Sequence, residues 1–434
     1  MSERAPRMAD WIDADAALAA VLAAVAPLGA EEVALDEAGG RVLAVDVYAP
    51  LDQPAWDNSG MDGYAVRAAD VRGATAGAPC TLHLVEDVPA GAFATRAVGA
   101  GEAIRIMTGA AIPAGADSVV RVEHTRLEGE RVIVERDDDA GRNVRPRGED
   151  LRAGDIAVAA GQVLRAAEIG VLAMVGAARP SVHRRPRVAI LSTGDEIVEL
   201  DEFDQVLAGR RVANSNGAML AAAVREAGGL AIGLGVARDE MNDIAARAEA
   251  ALDAEVLVVS AGASMGDRDL VKDALERHGF QLAFWRARVR PGSPLAFGTI
   301  PRAGAAPLAV FSLPGNPVSA LVTCELFVKP VLRRMQGRRA CLPRMQTVRV
   351  AERIAARPGL TRFLRVLLEP PGADGLRRAR LTGPQGSGVL SGAARADALL
   401  IVPEAVAALE ADDIAQVVLL ASADDAQGYG SYIN

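Results

Sequence analysis

Lysine is nearly missing from this 434-residue chain: Lys272 and Lys329 are the only two among 47 basic side chains. An arginine therefore stands where a related chain would often carry lysine, and the bias reads as a composition effect. Aromatics are only 3% of the residues, which leaves alanine, valine and leucine to build the cores. The three cysteines, Cys80, Cys324 and Cys341, are far apart and odd in number. They form no CxxC and have no histidine at zinc-finger spacing, which argues against a disulfide framework; they read as buried thiols in a reducing cytoplasm. The four histidines are scattered and make no metal cluster or Ser-His-Asp ordering, and the chain has no P-loop. No apolar run is long enough for a bilayer. The longest, Ala16 to Ala30, contains Pro27 and follows Asp10, Asp13 and Asp15 rather than a basic segment, so it reads as an amphipathic helix and not a signal peptide. With no targeting signal, a cytoplasmic protein off the membrane is the expectation. A net charge of -9 gives no basic field for phosphate backbones, which excludes nonspecific nucleic-acid binding.

What is present is a half-apolar, 24% charged sequence long enough for roughly three domains. A helix is predicted over 10–29, stopping near Pro27 and Gly29, followed by short strand-like pieces to Pro50. From about 52 to 150 short alternating runs indicate a small β domain: Thr81 to Val85, Ala103 to Met107, and Ser118 to Leu127 joined through Gly129 to Arg131 to Arg136 as a hairpin. The charged stretch Asp137 to Asp155 reads as the return linker. From 186 strands and helices alternate, which indicates parallel βαβ units in a doubly wound sheet closed by a long helix from Pro317. Short alternating strands return after 343 and suggest a barrel or sandwich.

In an open parallel sheet, ligands bind beyond the carboxyl ends of the strands. Three strand ends carry unusual residues. Ser192-Thr193-Gly194-Asp195-Glu196 places two carboxylates after a glycine turn. The loop 261–269 combines small residues, Ser264 and Gly266 among them, with Asp267 and Asp269 at a helix entry. In Leu313-Pro314-Gly315-Asn316-Pro317, Asn316 can cap the helix and its free amides can hold an oxyanion. Each is also an ordinary feature of α/β proteins, with Asp195 and Asp269 readable as caps. Together they suggest a phosphorylated substrate and Mg²⁺ held by Glu196 and Asp269 through oxygen. Asp57 to Ala65 reads equally well as a surface turn, Arg105 to Ala110 on its own reads as a structural turn, and the run Arg145, Arg147, Glu149, Asp150 as a solvated charge cluster.

Taken in order, Asp57 to Ala65, Arg105 to Ala110, Arg147 to Asp150, Ser192 to Glu196, Ser264 to Asp269 and Leu313 to Ser319 resemble the molybdopterin molybdenumtransferase family, the MoeA type, similar to the gephyrin E domain. The resemblance covers about 10–420 and implies an enzyme of molybdenum cofactor biosynthesis. Such an enzyme inserts molybdate into adenylylated molybdopterin and releases AMP with Mg²⁺. It implies a multidomain α/β plus β protein: a discontinuous mixed linking domain (10–51 and 151–185), an inserted β domain (52–150), a central doubly wound α/β domain (186–340) and a C-terminal β-barrel (341–434). It also implies a homodimer in which Asp62 and Thr108 approach the site in trans, and other cofactor-biosynthesis proteins as partners. Asp150, Glu196, Asp239 and Asp269 align with acidic residues of the family's active site, and Ser264, Gly266, Gly315 and Asn316 with its substrate loops. Ser319, Arg365 and Ser391 fall where the family binds molybdate, a tetrahedral dianion for which arginine, hydroxyls and amides are suited.

Two positions depart from the pattern. Ala261 replaces the first of a glycine pair, and Arg290-Pro291-Gly292-Ser293-Pro294 replaces Lys-Pro-Gly-Lys-Pro. Arg290 keeps its charge, but Ser293 loses one, and a charge-assisted contact contributes about 1.5 to 3 kcal/mol. Two alternatives stay open: a molybdopterin adenylyltransferase, or a non-catalytic paralog that binds molybdopterin as an assembly protein.

Overall fold

A computed structural model describes residues 11–89, 91–260 and 270–420. The chain starts with α1 (Ala14–Ala23), where Asp13 caps the amide of Ala16 at 2.8 Å. The helix is shorter than expected, because it ends ahead of Pro27, whose ring disfavours helical backbone before it. Next, Ala30–Glu32 pairs with Ser181–His183 and Val47–Tyr48 with Ile156–Val158. Segments far apart in sequence thus share a small core of Leu43, Val158, Leu164, Leu172 and Val182, completed by α2 (Ala166–Met174).

Between them lies a six-stranded sheet of β1 (Gly63–Val66), β2 (Cys80–Val88), β3 (Glu102–Ile106), β4 (Ser118–Arg121), β5 (Thr125–Glu128) and β6 (Arg131–Val134), in the order β4-β1-β3-β2-β6-β5. The predicted hairpin holds only in its second half. A turn at Val122–His124 breaks the first arm, so β4 pairs with β1 while β5 pairs with β6. Gly63 sits where β1 passes closest to β4: a Cβ there would lie 2.0 Å from the Val120 carbonyl oxygen. Backbone cannot yield as a side chain tip does, so Gly63→Ala is expected to cost about 3 kcal/mol or more, read as a lowered midpoint in urea unfolding.

The central sheet contains β7 (Arg187–Thr193), β8 (Leu230–Ala237), β9 (Val256–Ser260), β10 (Gln281–Trp285), β11 (Ala296–Arg302) and β12 (Ala305–Leu313), ordered β8-β7-β9-β12-β11-β10. Its first four strands are parallel, with α3 (Ser215–Glu226), α4 (Met241–Ala250) and α5 (Leu270–Glu276) among the connecting helices. The strands β11 and β10 add an antiparallel edge, and β11 falls in a stretch the sequence pattern left unassigned. The long helix from Pro317 is α6 (Pro317–Thr323) continued by a π-helical turn (Cys324–Val328) into α7 (Lys329–Met335).

The barrel strands are β13 (Met345–Val350), β14 (Thr361–Leu368), β15 (Arg377–Leu381), β16 (Ala398–Val402) and β17 (Ile414–Leu419). The order β14-β15-β13-β17-β16 closes through pairing of β16 with β14, so the C-terminal sheet is a closed barrel and not a sandwich. A single apolar cluster joins Val21 of α1, Phe311 of the sheet, Phe327 of the long helix and Phe363 of the barrel. This shared core fixes the seam between sheet and barrel. Of the thiols, only Cys324 is fully buried, and burial pushes it up to about 12; Cys80 and Cys341 are half-buried, against expectation. Among the described residues no helix is long and apolar enough to cross a membrane.

Candidate active site

Parallel register brings the ends of β7, β9 and β12 together: Ser192 lies opposite Ser260, and Ser260 opposite Leu313. Beyond them opens a cavity of about 570 Å³, whose lining includes Glu196, Asn216, Gly315 and Asn316. Asn216 donates through Nδ2 to Ser260 Oγ at 2.7 Å and to the Gly315 carbonyl at 2.8 Å. These two acceptors fix the orientation of its amide, and its buried Oδ1 has no donor. The sequence pattern absorbed Asn216 into a helix; the Asn214-Ser215-Asn216 run at that helix start is the signal that could have singled it out. Asn214 caps the same helix through Gly217 at 2.9 Å and accepts from Ser192 at 2.8 Å.

Asn316 stands at the helix start without a side-chain capping bond, contrary to expectation. Nor are the first amides there free: Pro317 has none, and Val318 donates to the Ser387 carbonyl at 3.1 Å. Among the described residues Glu196 is the carboxylate in the cavity lining; Asp195 precedes it in the chain, and the Asp239 amide donates to Asp195 Oδ1 at 3.2 Å. Asp195 caps no helix, because a short strand, Ile197–Val198, follows it. Although Asp239 is open over much of its surface, loss of water around its carboxyl and the nearby Asp195 and Glu196 charges raise its pKa. Crowded carboxylates of this kind suit a hard cation. Among the described residues, however, no three potential ligands are grouped ready to hold one.

Across the cavity the charge reverses. Arg365 on β14 is 2% exposed and donates to the carbonyls of Gly386 at 3.0 Å and Pro384 at 2.8 Å, while its Nε has no acceptor. Burial lowers its pKa, and among the described residues no carboxylate is paired with it. The loop it holds is the one whose Ser387 meets α6 and whose Gly388 lines the cavity. Nearby, Arg290 pairs in register with Arg362, which burial and the Arg290 charge shift downward. Among the described residues neither Arg290 nor Arg362 has an ion-pair partner. Ser319 is buried in the first turn of α6, and Ser391 is exposed on a short helix (Leu390–Ala394) beside Gly392, which packs near Arg365. The Ser293 hydroxyl donates to the Val289 carbonyl at 2.6 Å, so its single proton closes a turn and is not offered to an anion.

Asp62 and Thr108 do meet, but elsewhere. Asp62 Oδ1 accepts from the Thr108 amide at 2.7 Å and from Thr108 Oγ1 at 2.6 Å, which holds the carboxyl below its ordinary pKa. Both residues are exposed at the end of the inserted sheet and line no part of the cavity. Asp150 is also exposed, with its amide on the Gln53 carbonyl at 3.0 Å. The neighbouring charges are anchored more firmly than a solvated run, since the Arg147 amide donates to Asp57 at 2.7 Å. Ser264, Gly266 and Asp269, with Ala261, lie outside the described residues.

A cavity at the carboxyl ends of parallel strands, lined by Glu196 and closed by a loop that Arg365 holds, defines an α/β protein with a candidate ligand site at its sheet edge. The comparisons with known proteins are more specific. Models of the MoeA N-terminal region (domain I and II), a probable molybdopterin binding domain and the MoeA C-terminal region (domain IV) match residues 12–176, 189–334 and 347–420. Molybdopterin molybdenumtransferase 2 of Mycobacterium tuberculosis is 36% identical over 89% of this chain and 94% of its own length. The molybdopterin molybdenumtransferase of a Nostoc species is 41% identical over 71% of this chain and 70% of its own. The molybdopterin biosynthesis moeA protein of Pyrococcus horikoshii superposes with a TM-score of 0.79 at 28% identity, covering 95% of this chain and all of that one. The chain belongs to the molybdopterin molybdenumtransferase family.

Proposed function

We propose that this chain inserts molybdate into adenylylated molybdopterin and releases AMP. The observation that carries the reading is Arg365, buried with no ion-pair partner among the described residues, holding the loop whose Gly388 lines the same cavity as Glu196. A dianion at Arg365 would supply the charge the guanidinium lacks, with Arg290, Ser319 and Ser391 around it. The substrate would lie over Gly315 and Asn316, where the unpartnered Asn216 Oδ1 accepts an N–H. The loop bearing Ser264 and Gly266 belongs to the same reading.

Glu196, with Asp195, Asp239 and Asp269, would hold magnesium through one or two carboxylates and substrate oxygens, which is the usual way this ion is bound and needs no all-protein cage. When bound, it neutralises charge developing on the phosphate oxygens. Asp62 lies off the cavity of its own chain, which supports a homodimer in which Asp62 and Thr108 of a second copy face it, with Asp150 on the return segment after the inserted sheet. The reading keeps the four-part division drawn from the sequence and places the reaction in the cytoplasm. Similarity along the whole chain, rather than over the central sheet alone, supports insertion over adenylylation. The retained carboxylates support turnover over passive binding.

The test is incubation with adenylylated molybdopterin, magnesium and graded molybdate, following AMP. Molybdate-dependent release is expected, and release indifferent to molybdate would refute insertion. Ser293→Lys returns a cation next to Arg290 and should lower the molybdate concentration for half-maximal release roughly 10- to 100-fold, the equivalent of one charge-assisted contact. An unchanged requirement would place position 293 outside the oxyanion's reach.

A further inference from the structure

A second polar cavity, of about 460 Å³, lies away from the sheet-end site. Its walls come from the loop 161–168, the helix and turn running to Arg344, and Leu419 and Leu420 at the end of the barrel. Five arginines face it: Arg165, Arg333, Arg338, Arg339 and Arg344. Among the described residues the carboxylates lining the cavity do not pair with Arg165, Arg333, Arg338 or Arg339. Glu226 and Glu325 are engaged by Lys329, buried on α7, whose Nζ lies 2.8 and 2.5 Å from them. Glu168 accepts the backbone amide of Arg165 at 2.9 Å.

Arg338 is the most constrained of the five. Its Nη2 donates to the Ala227 carbonyl at 3.1 Å and to Gln336 Oε1 at 3.3 Å, both neutral, and its Nε is buried with no acceptor. Burial, and then the neighbouring Arg333, push its pKa down. The chain makes room for this side chain: Gly228 has φ +87°, and a Cβ there would stand 3.0 Å from Arg338 Nη2. None of Arg165, Arg333, Arg338 or Arg339 has an ion-pair partner among the described residues. A half-buried cation without a counter-ion is unfavourable, and the guanidinium groups of Arg165, Arg333, Arg338 and Arg339, all lining one hollow, supply the forked donors that match phosphate oxygens.

We infer that this cavity is a second anion site, distinct from the Arg365 site, that takes a small phosphorylated compound carrying more than one negative charge. Because three segments distant in sequence form its walls, the ligand braces the seam between the linking segments, the long helix and the barrel.

The test uses inorganic pyrophosphate at constant ionic strength, followed by titration calorimetry and by the thermal midpoint, on the full chain carrying Arg365→Gln so that the sheet-end site is silenced. Saturable binding that raises the midpoint is expected. Arg338→Gln and, separately, Arg339→Gln should each weaken that binding at least tenfold. Arg339 is exposed and among the described residues its side chain anchors no backbone, so its variant reads the site even if Arg338→Gln fails to fold. Disappearance of all pyrophosphate binding with Arg365→Gln alone would assign the anion to the first site and overturn the inference. Affinity unchanged in the folded cavity variants would overturn it too.

Discussion

Asp62→Asn is expected to lower molybdate-dependent AMP release by about 10² to 10⁴-fold, the range over which a positioned proton acceptor contributes, while leaving the thermal midpoint in place. The geometry separates these two effects. Both bonds from Thr108 end on Oδ1 of Asp62, and an asparagine oxygen accepts them equally well, so the turn survives. What disappears is the charge, together with the second oxygen, which is open to a ligand. Turnover like that of the native chain would remove Asp62 from the mechanism. Thr108→Val gives the pH test. The Thr108 hydroxyl contributes most to lowering the Asp62 pKa, ahead of the amide. Asp62 therefore stays ionised as pH falls below the ordinary carboxylate range. Without the hydroxyl its pKa rises, and the acid limb of the rate profile should move to higher pH.

Arg365→Gln should raise the molybdate requirement by about 10- to 100-fold or more, since a charge-assisted contact contributes about 1.5 to 3 kcal/mol and burial strengthens it. Glutamine can still donate to one of the carbonyls of Pro384 and Gly386, so loop 384–388 keeps part of its support. Relief from burying an unpaired charge offsets the other lost bond, and the folded state is expected to persist. Arg365→Lys keeps the charge but loses the fork, and should fall between the two. An unaltered molybdate requirement in Arg365→Gln would place the oxyanion elsewhere. Mixing Asp62→Asn chains with Arg365→Gln chains tests the dimer: sites formed in trans recover AMP release, because one of the two sites in a mixed pair has both residues intact.

Much of the fold was legible in the sequence because burial writes a period into it. Arg187–Thr193 and Val256–Ser260 are continuous apolar runs, as strands covered on both faces must be, and were located to within a residue or so. The strand Ala296–Arg302 was missed because Pro294 and Pro301 flank or interrupt it and its edge pairing is antiparallel. Strand pattern left barrel and sandwich both open, since pairing of Thr361–Leu368 with Ala398–Val402 joins segments that carry no mark of one another; the family resemblance implied the barrel.

The candidate site divides in the same way. Residue type at the strand ends pointed to Glu196 and to the Gly315-Asn316 turn, whereas Asp62 with Thr108 was singled out only by the order of motifs that carries the family resemblance. Sequence also determined the arginine bias, the absence of a long apolar span and the kinship of the whole chain. Tertiary structure alone decided that Ser293 spends its proton on Val289, that Val318 gives its amide to Ser387, and that Arg365 is buried and Arg338 half-buried, each with no ion-pair partner among the described residues. The reason is physical: a side chain's type is local, but whether its hydrogen bonds and charge are satisfied depends on what distant segments bring beside it.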